Sequence, residues 1–186
     1  AENPHLEIHL LGQPVINQSF NDSSQRDAAT LIPAMYLIVA LLLVLFFRSF
    51  ASVIGALLVI GLATAGGMGF AGWVGFPITM ITTCAPVIIL TIAVCDSVHL
   101  QVIYLRFLAE GQSPIEAMHH SLKVNLAPIA LTSLTTAIGF LTLNFAESPN
   151  FRQLGNISAV GVMLAMFLTL TLLPALQILL VKKHKG

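Results

Sequence analysis

Charge is what this chain has least of. Only 9% of its 186 residues are Asp, Glu, Lys or Arg, against about 25% in an ordinary soluble domain. That scarcity excludes a water-soluble globule and places the chain in a membrane, as a protein or a piece of one. Acidic and basic residues balance at eight each. No basic run carries interleaved aromatics, so no nucleic-acid partner is expected. Cysteine is almost absent too. Cys84 and Cys95 fall in one apolar segment, about 16 Å apart on a helix, which excludes a bridge between them. With no metal-ligand spacing either, both read as small buried packing residues. There is no nucleophile–base constellation, no phosphate-cradling glycine loop and no cofactor motif, so neither an enzyme nor a cofactor or metal site is expected. The polar start, Ala1-ENPHLEIHLLGQP, lacks a signal-peptide pattern and reads as cut from something larger.

What fills the chain instead is apolar: 56% of residues, with a mean hydropathy of +0.90. Residues 5 to 10, His-Leu-Glu-Ile-His-Leu, alternate strictly and predict a half-buried strand ending at Gly12, with its neighbours in a soluble domain elsewhere. Asn17 to Arg26 is polar and turn-rich, and Asp22, Ser23 or Ser24 is placed to cap the helix that follows. Five apolar segments come next, at approximately Ala28–Phe47, Ala51–Trp73, Ile78–Tyr104, Leu126–Ala146 and Gly155–Val181. Each is long enough to cross about 30 Å of hydrocarbon at about 1.5 Å per residue. The expected fold is all-α integral membrane, with one short strand in an external tail.

Five spans put the two ends on opposite sides, and the cations orient them. Arg48, Arg106, Lys123, Lys182, Lys183 and Lys185 fall on one side, Arg26 and Arg152 on the other. The richer side should be cytoplasmic, leaving the N-terminus outside. Between the third and fourth spans, Ser113-Pro114-Ile115-Glu116 is a capping-box signature with proline at the first helical position. It predicts a short amphipathic helix over about 113–122, with Ile115, Met118 and Leu122 on one side, lying along the cytoplasmic membrane face. His119 and His120 are adjacent, point in different directions and read as solvated surface residues.

Within this apolar frame Asp96 stands out, in the run Pro86-VIILTIAVCDSVHLQVIYL-Arg106. An aspartate at the bilayer centre costs about 2.5–3.5 kcal/mol on insertion scales, so it needs a protein partner, a water-filled cavity or a proton. Asp96 is therefore the candidate ion- or proton-handling residue. His99 follows one turn later on nearly the same face and is the candidate to tune it or to offer a second protonatable site. Thr132, Ser133, Thr135 and Thr136 in the fourth span supply hydroxyls, Thr132 and Thr136 sharing a face with Gly139. Gly61, Ala65 and Gly69 repeat at four-residue spacing in the second span, as do Gly161 and Ala165 in the fifth. Such spacing lets helices approach closely in lipid.

The stretch from the third span onward resembles the resistance–nodulation–division superfamily, nearest its MmpL-type and predicted-exporter branch. The matching segments are AVCDSVHL, the linker Glu110-Gly111-Gln112-Ser113-Pro114-Ile115-Glu116-Ala117, Thr132-SLTTAIGFLTL, Phe151-RQLGNISAVGVM and Leu172-LPAL. Residues 28 to 181 follow the family in order. The resemblance implies helices two to six of one six-helix repeat, preceded over residues 1–27 by the end of an external porter domain. The same block resembles a sterol-sensing domain. Relatives carry a Gly-x-x-x-Asp-Asp-like motif whose acids relay protons; here Thr91 replaces the glycine, Cys95 the first acid, and Asp96 keeps the second. The implied protein is a proton-motive-force-driven exporter of lipids or other hydrophobic molecules in the inner membrane. Asp96 and His99 would form its relay, and Thr91, Cys95, Thr132, Thr135 and Thr136 would line it. A second repeat, the porter domains and further copies of the chain would be its protein partners. The alternative is a sterol-sensing-like lipid-binding or regulatory module with no proton transport.

Overall fold

A computed structural model of the chain describes residues 12–47 and 49–183. Five long helices make up the architecture: α1 (Gln13–Phe47), α2 (Phe50–Val74), α3 (Ala85–Ala109), α4 (Pro114–Leu141) and α5 (Pro149–Lys183). Short 3-10 turns at Thr82–Cys84 and Thr142–Phe145 lead into α3 and out of α4. All five are long and apolar enough to cross a membrane. No strand occurs among the described residues, and the strand expected at residues 5–10 lies outside them.

Two expected boundaries are moved. Asp22, Ser23 and Ser24 cap nothing, because α1 already runs through them from Gln13. Asp22 and Ser23 face outward. Their moderate helix cost, about 0.7 kcal/mol per residue at most, is offset by one backbone bond for each residue added to an existing helix. The short helix expected over 113–122 is the first part of α4. Its capping box forms as read: the Ser113 hydroxyl accepts from the Glu116 amide at 3.3 Å, and the Glu116 carboxylate accepts from the Ser113 amide at 3.2 Å. The helix runs on through Pro128 for 28 residues, or about 42 Å, longer than the hydrocarbon core. Met118 and Leu122 turn toward the core while Ile115 stays exposed, so the three do not form one membrane-facing stripe. His119 and His120 are exposed as expected. Tight backbone turns close the preceding elements. Gly75 (φ 80) ends α2, its amide donating to Gly72 and that of Phe76 to Ala71, a left-handed cap suited to glycine.

α5 is the hub, packing on α2, α3 and α4, while α3 also packs on α2 and α4. α1 leans on this group through Leu43, Phe47 and a Tyr36 hydroxyl bonded to Thr64 Oγ1 at 3.0 Å. The tightest junction is between α2, α3 and α5. A Cβ at Gly67 would stand 2.6 Å from Ile89 Cδ1 and 3.2 Å from the Gly161 Cα, and one at Gly161 would also run into Ile89. Ile89 thus fills the space that two glycines leave. In the fifth helix Gly161 and Ala165 are both buried, matching their four-residue pattern. In the second helix the contacting glycines are Gly55, Gly66 and Gly67, which meet Leu173, Leu164 and Ile89. Gly61 and Gly69 have nothing within 4 Å of a notional Cβ, and Ala65 is exposed. A four-residue repeat marks a smooth helix face but carries no information on which way that face turns.

Candidate functional site

Asp96 is the twelfth of the 25 residues of α3, close to mid-depth for a spanning helix. It is only 4% exposed. At about 100° per residue, it lies where two faces of α3 meet. Ile89, Ala93 and Leu100 form the buried face on one side; Ile92, Cys95 and His99 line an open cavity on the other. Ser133 of α4, itself fully buried, donates its hydroxyl to Asp96 Oδ2 at 3.0 Å. A hydroxyl both donates and accepts, so this bond can persist whether or not the carboxyl carries a proton.

The cavity lies between α3 and α4 and has a volume of about 330 Å³. It brings together Thr91, Cys95, Asp96 and His99 from α3 with Thr132 and Thr136 from α4. Thr135 falls outside it; exposed, it donates to the carbonyls of Leu131 (2.8 Å) and Thr132 (3.0 Å). Thr91 and Thr132 likewise donate back to Val87 and Pro128, at 2.8 and 2.9 Å. Helix carbonyls therefore take up these protons, and the hydroxyls face the cavity chiefly as acceptors. His99 is exposed at the cavity wall. Among the described residues the ion pair present is Arg106 to Glu110, at the far end of α3, so His99 stands near Asp96 without being bonded to it.

Cys84 and Cys95 are both exposed, correcting their reading as buried packing residues. Cysteine's usual burial reflects water as the surrounding solvent, whereas on this chain an apolar outer face is the rule. Two residues of the site were missed from the sequence. Ser133 was visible only as one hydroxyl among four. Asn125 was not singled out at all, although 125, 129, 132 and 136 recur at helical spacing and all line the cavity. Asn125 Nδ2 donates to the Ser121 carbonyl at 3.0 Å, and the Ser121 hydroxyl donates across to the Leu100 carbonyl at 2.6 Å. The Ser121 bond clasps α3 to α4 beside the cavity, and Asn125 braces the turn of α4 that carries it. Among the described residues no three His, Cys, Asp or Glu side chains converge as a metal site would require.

Five membrane-length helices around one buried mid-span carboxylate define a polytopic membrane protein with an intramembrane polar site. The chain belongs to the MMPL family, whose model matches residues 1–184. It is also similar to MJ1562 of Methanocaldococcus jannaschii, whose name describes it as a membrane protein: 26% identity over 190 residues, covering 98% of this chain and 49% of that protein. The chain thus spans about half the length of that relative.

Proposed function

We propose that this chain is the transmembrane part of a secondary exporter of lipids or other hydrophobic molecules, driven by the proton-motive force. The observation that carries the reading is the placement of Asp96: a carboxyl at mid-helix, 4% exposed, on the wall of an otherwise largely apolar cavity. Membership of a family of membrane transporters supports it. Asp96 takes a proton from the external side and releases it inward, and the change of charge favours different packings of α3 against α4. Burial disfavours a charge, which makes the two protonation states differ in packing energy. Ser133 steadies the carboxyl, and His99 tunes the field at the cavity mouth. The excess of cations on one side orients the N-terminus outward and the C-terminus toward the cytoplasm of an inner membrane. A second repeat covers the open side of the cavity, residues 1–27 lead from a porter domain, and the parent works as a homo-oligomer. Two repeats are required because alternating access moves one against the other.

The test is proton movement and substrate export in vesicles holding the full-length parent, wild type against Asp96→Asn at matched insertion. Asparagine keeps an acceptor for Ser133 and cannot cycle a proton, so both activities should stop. Unchanged activity would remove Asp96 from the mechanism. A second reading, a sterol-sensing-like lipid-binding module, is favoured by the cavity itself, which falls within the range of about 300–1,000 Å³ usual for ligand sites. In that case Asp96→Asn alters lipid binding in a protein that moves no protons.

A further inference from the structure

Buried polar groups collect on a second face of α3, away from the cavity. Ser97, Gln101 and Tyr104 are all fully buried, and each has an atom with no hydrogen-bond partner among the described residues: Ser97 Oγ, Gln101 Oε1 and the Tyr104 hydroxyl. They recur at i, i+4 and i+7, so they form one stripe about 10 Å long, starting beside Asp96 and running toward the Ala109 end of the helix. α5 answers with Thr169 Oγ1 and Gln177 Nε2, also fully buried and unpartnered. Direct contacts tie the two sets together through α2. Gln101 Nε2 donates to the Ser52 carbonyl at 2.9 Å, and the Ser52 hydroxyl donates to Gln177 Oε1 at 3.5 Å. Gly55 leaves room there, since a Cβ on it would stand 3.2 Å from Gln177 Nε2. Tyr104 shares a buried cluster with Leu173, one turn from both Thr169 and Gln177.

Five unpartnered groups at about 1–3 kcal/mol each would rival the whole net stability of a domain, about 5–15 kcal/mol. Back-bonding to the helix is not how Ser97 and Thr169 are oriented, although Thr91, Thr135 and Thr171 do bond back. An amide–amide bond between Gln101 and Gln177 would serve only those two. The leftover atoms form a complementary set of an acceptor, a donor and three hydroxyls. Internal water, making about three hydrogen bonds per molecule, meets such a set.

We infer that the α2–α3–α5 seam binds a file of internal water that forms the cytoplasmic limb of the proton route from Asp96. The second half of this statement rests on the proton-driven reading above. The Asp96 O–H bond breaks and a water O–H bond forms; that water passes one of its own protons onward, and one proton leaves at the inner face for each one Asp96 releases. The amides of Gln101 and Gln177 hold water in place and neither gain nor lose a proton.

The test combines two measurements on the full-length parent. Hydroxyl radicals made by X-ray radiolysis of water should oxidise Leu173 and Tyr104 beside the seam, while Ile89, equally buried in the dry glycine junction, stays unmodified. In vesicles, Gln101→Leu with Gln177→Leu removes both half-partnered amides together. It should lower substrate-driven proton flux severalfold, because the water loses the groups that hold it in place, with insertion unchanged. If Asp96→Asn stops flux while the double variant keeps wild-type flux, the route is overturned and the exporter reading stands. Absence of Leu173 oxidation in the wild type overturns the hydrated seam however the variants behave, including one that fails to insert. Oxidation with undiminished flux overturns the route. If flux survives Asp96→Asn, the proton-driven reading itself fails, and the footprint alone then decides whether the seam holds water.

Discussion

The two sides of α3 are built from different residue types and do opposite things. Toward α2 and α5, glycine and alanine let Ile89 lock three helices together, with Gly67 and Gly161 leaving no room for another carbon. Toward α4, threonines, a cysteine and a histidine stand around an open cavity with Asp96 at its edge. Around Ile89 the closed side resists rearrangement, because close-packed interiors do not deform continuously; the polar seam lies nearer the Ala109 end. The open side has little to lose from movement, and its charge-bearing residue sits at the boundary between the two. A rigid wall behind a yielding one is what a proton-dependent change of helix packing requires.

Substitutions on the two sides should therefore differ in kind. The largest effect belongs to Asp96→Asn, which should abolish proton-coupled export while leaving insertion and thermal stability near wild type; a well-inserted, fully active variant would erase the functional contrast. Next is Gly161→Ala on the closed side, whose methyl meets Ile89. It should destabilise by about 1–3 kcal/mol through overpacking, read as resistance to denaturant in detergent. The paired control, Gly61→Ala, meets nothing within 4 Å in this chain. It should be neutral or stabilising by up to about 1 kcal/mol through helix propensity. Equal losses at both glycines would mean that the Gly61 face is also packed in the parent.

Smaller effects sharpen the open side. Ser133→Ala removes the hydroxyl bonded to Asp96 and should cost about 0.6–1.7 kcal/mol, from the average to the upper end for hydrogen bonds between membrane helices, on the same denaturation assay. Cys95 lines the cavity and Cys84 does not. N-ethylmaleimide should therefore slow export in the wild type and in Cys84→Ala, and leave Cys95→Ala untouched. Inhibition that persists in Cys95→Ala would place the sensitive thiol elsewhere.

Legibility from the sequence divided along the same line. The five spans and the capping box at Ser113 and Glu116 were readable, because each depends on local composition or spacing; helical spacing also set Asp96 and His99 on one face of α3 and Thr132 and Thr136 on one face of α4, but not that those faces meet. Thr135, one residue from Thr136, illustrates the limit: spacing placed it in a hydroxyl-rich run, and the turn of α4 put it outside the cavity. The start of α1 was misread because polar, turn-forming residues also tolerate a helix that is already propagating.

By itself, the sequence determined that the chain is a bundle of membrane-length helices with one costly carboxyl at mid-depth, since hydropathy and the price of burying charge are local properties. Tertiary structure alone decided which glycines touch, that Ser133 rather than His99 bonds Asp96, that both cysteines are exposed, Cys95 on the cavity, and that Ser52 joins Gln101 to Gln177 inside. The reason is rotational. A helix that is apolar nearly all round has no amphipathic stripe to fix its rotation about its own axis, so only packing against its neighbours sets which residues face one another.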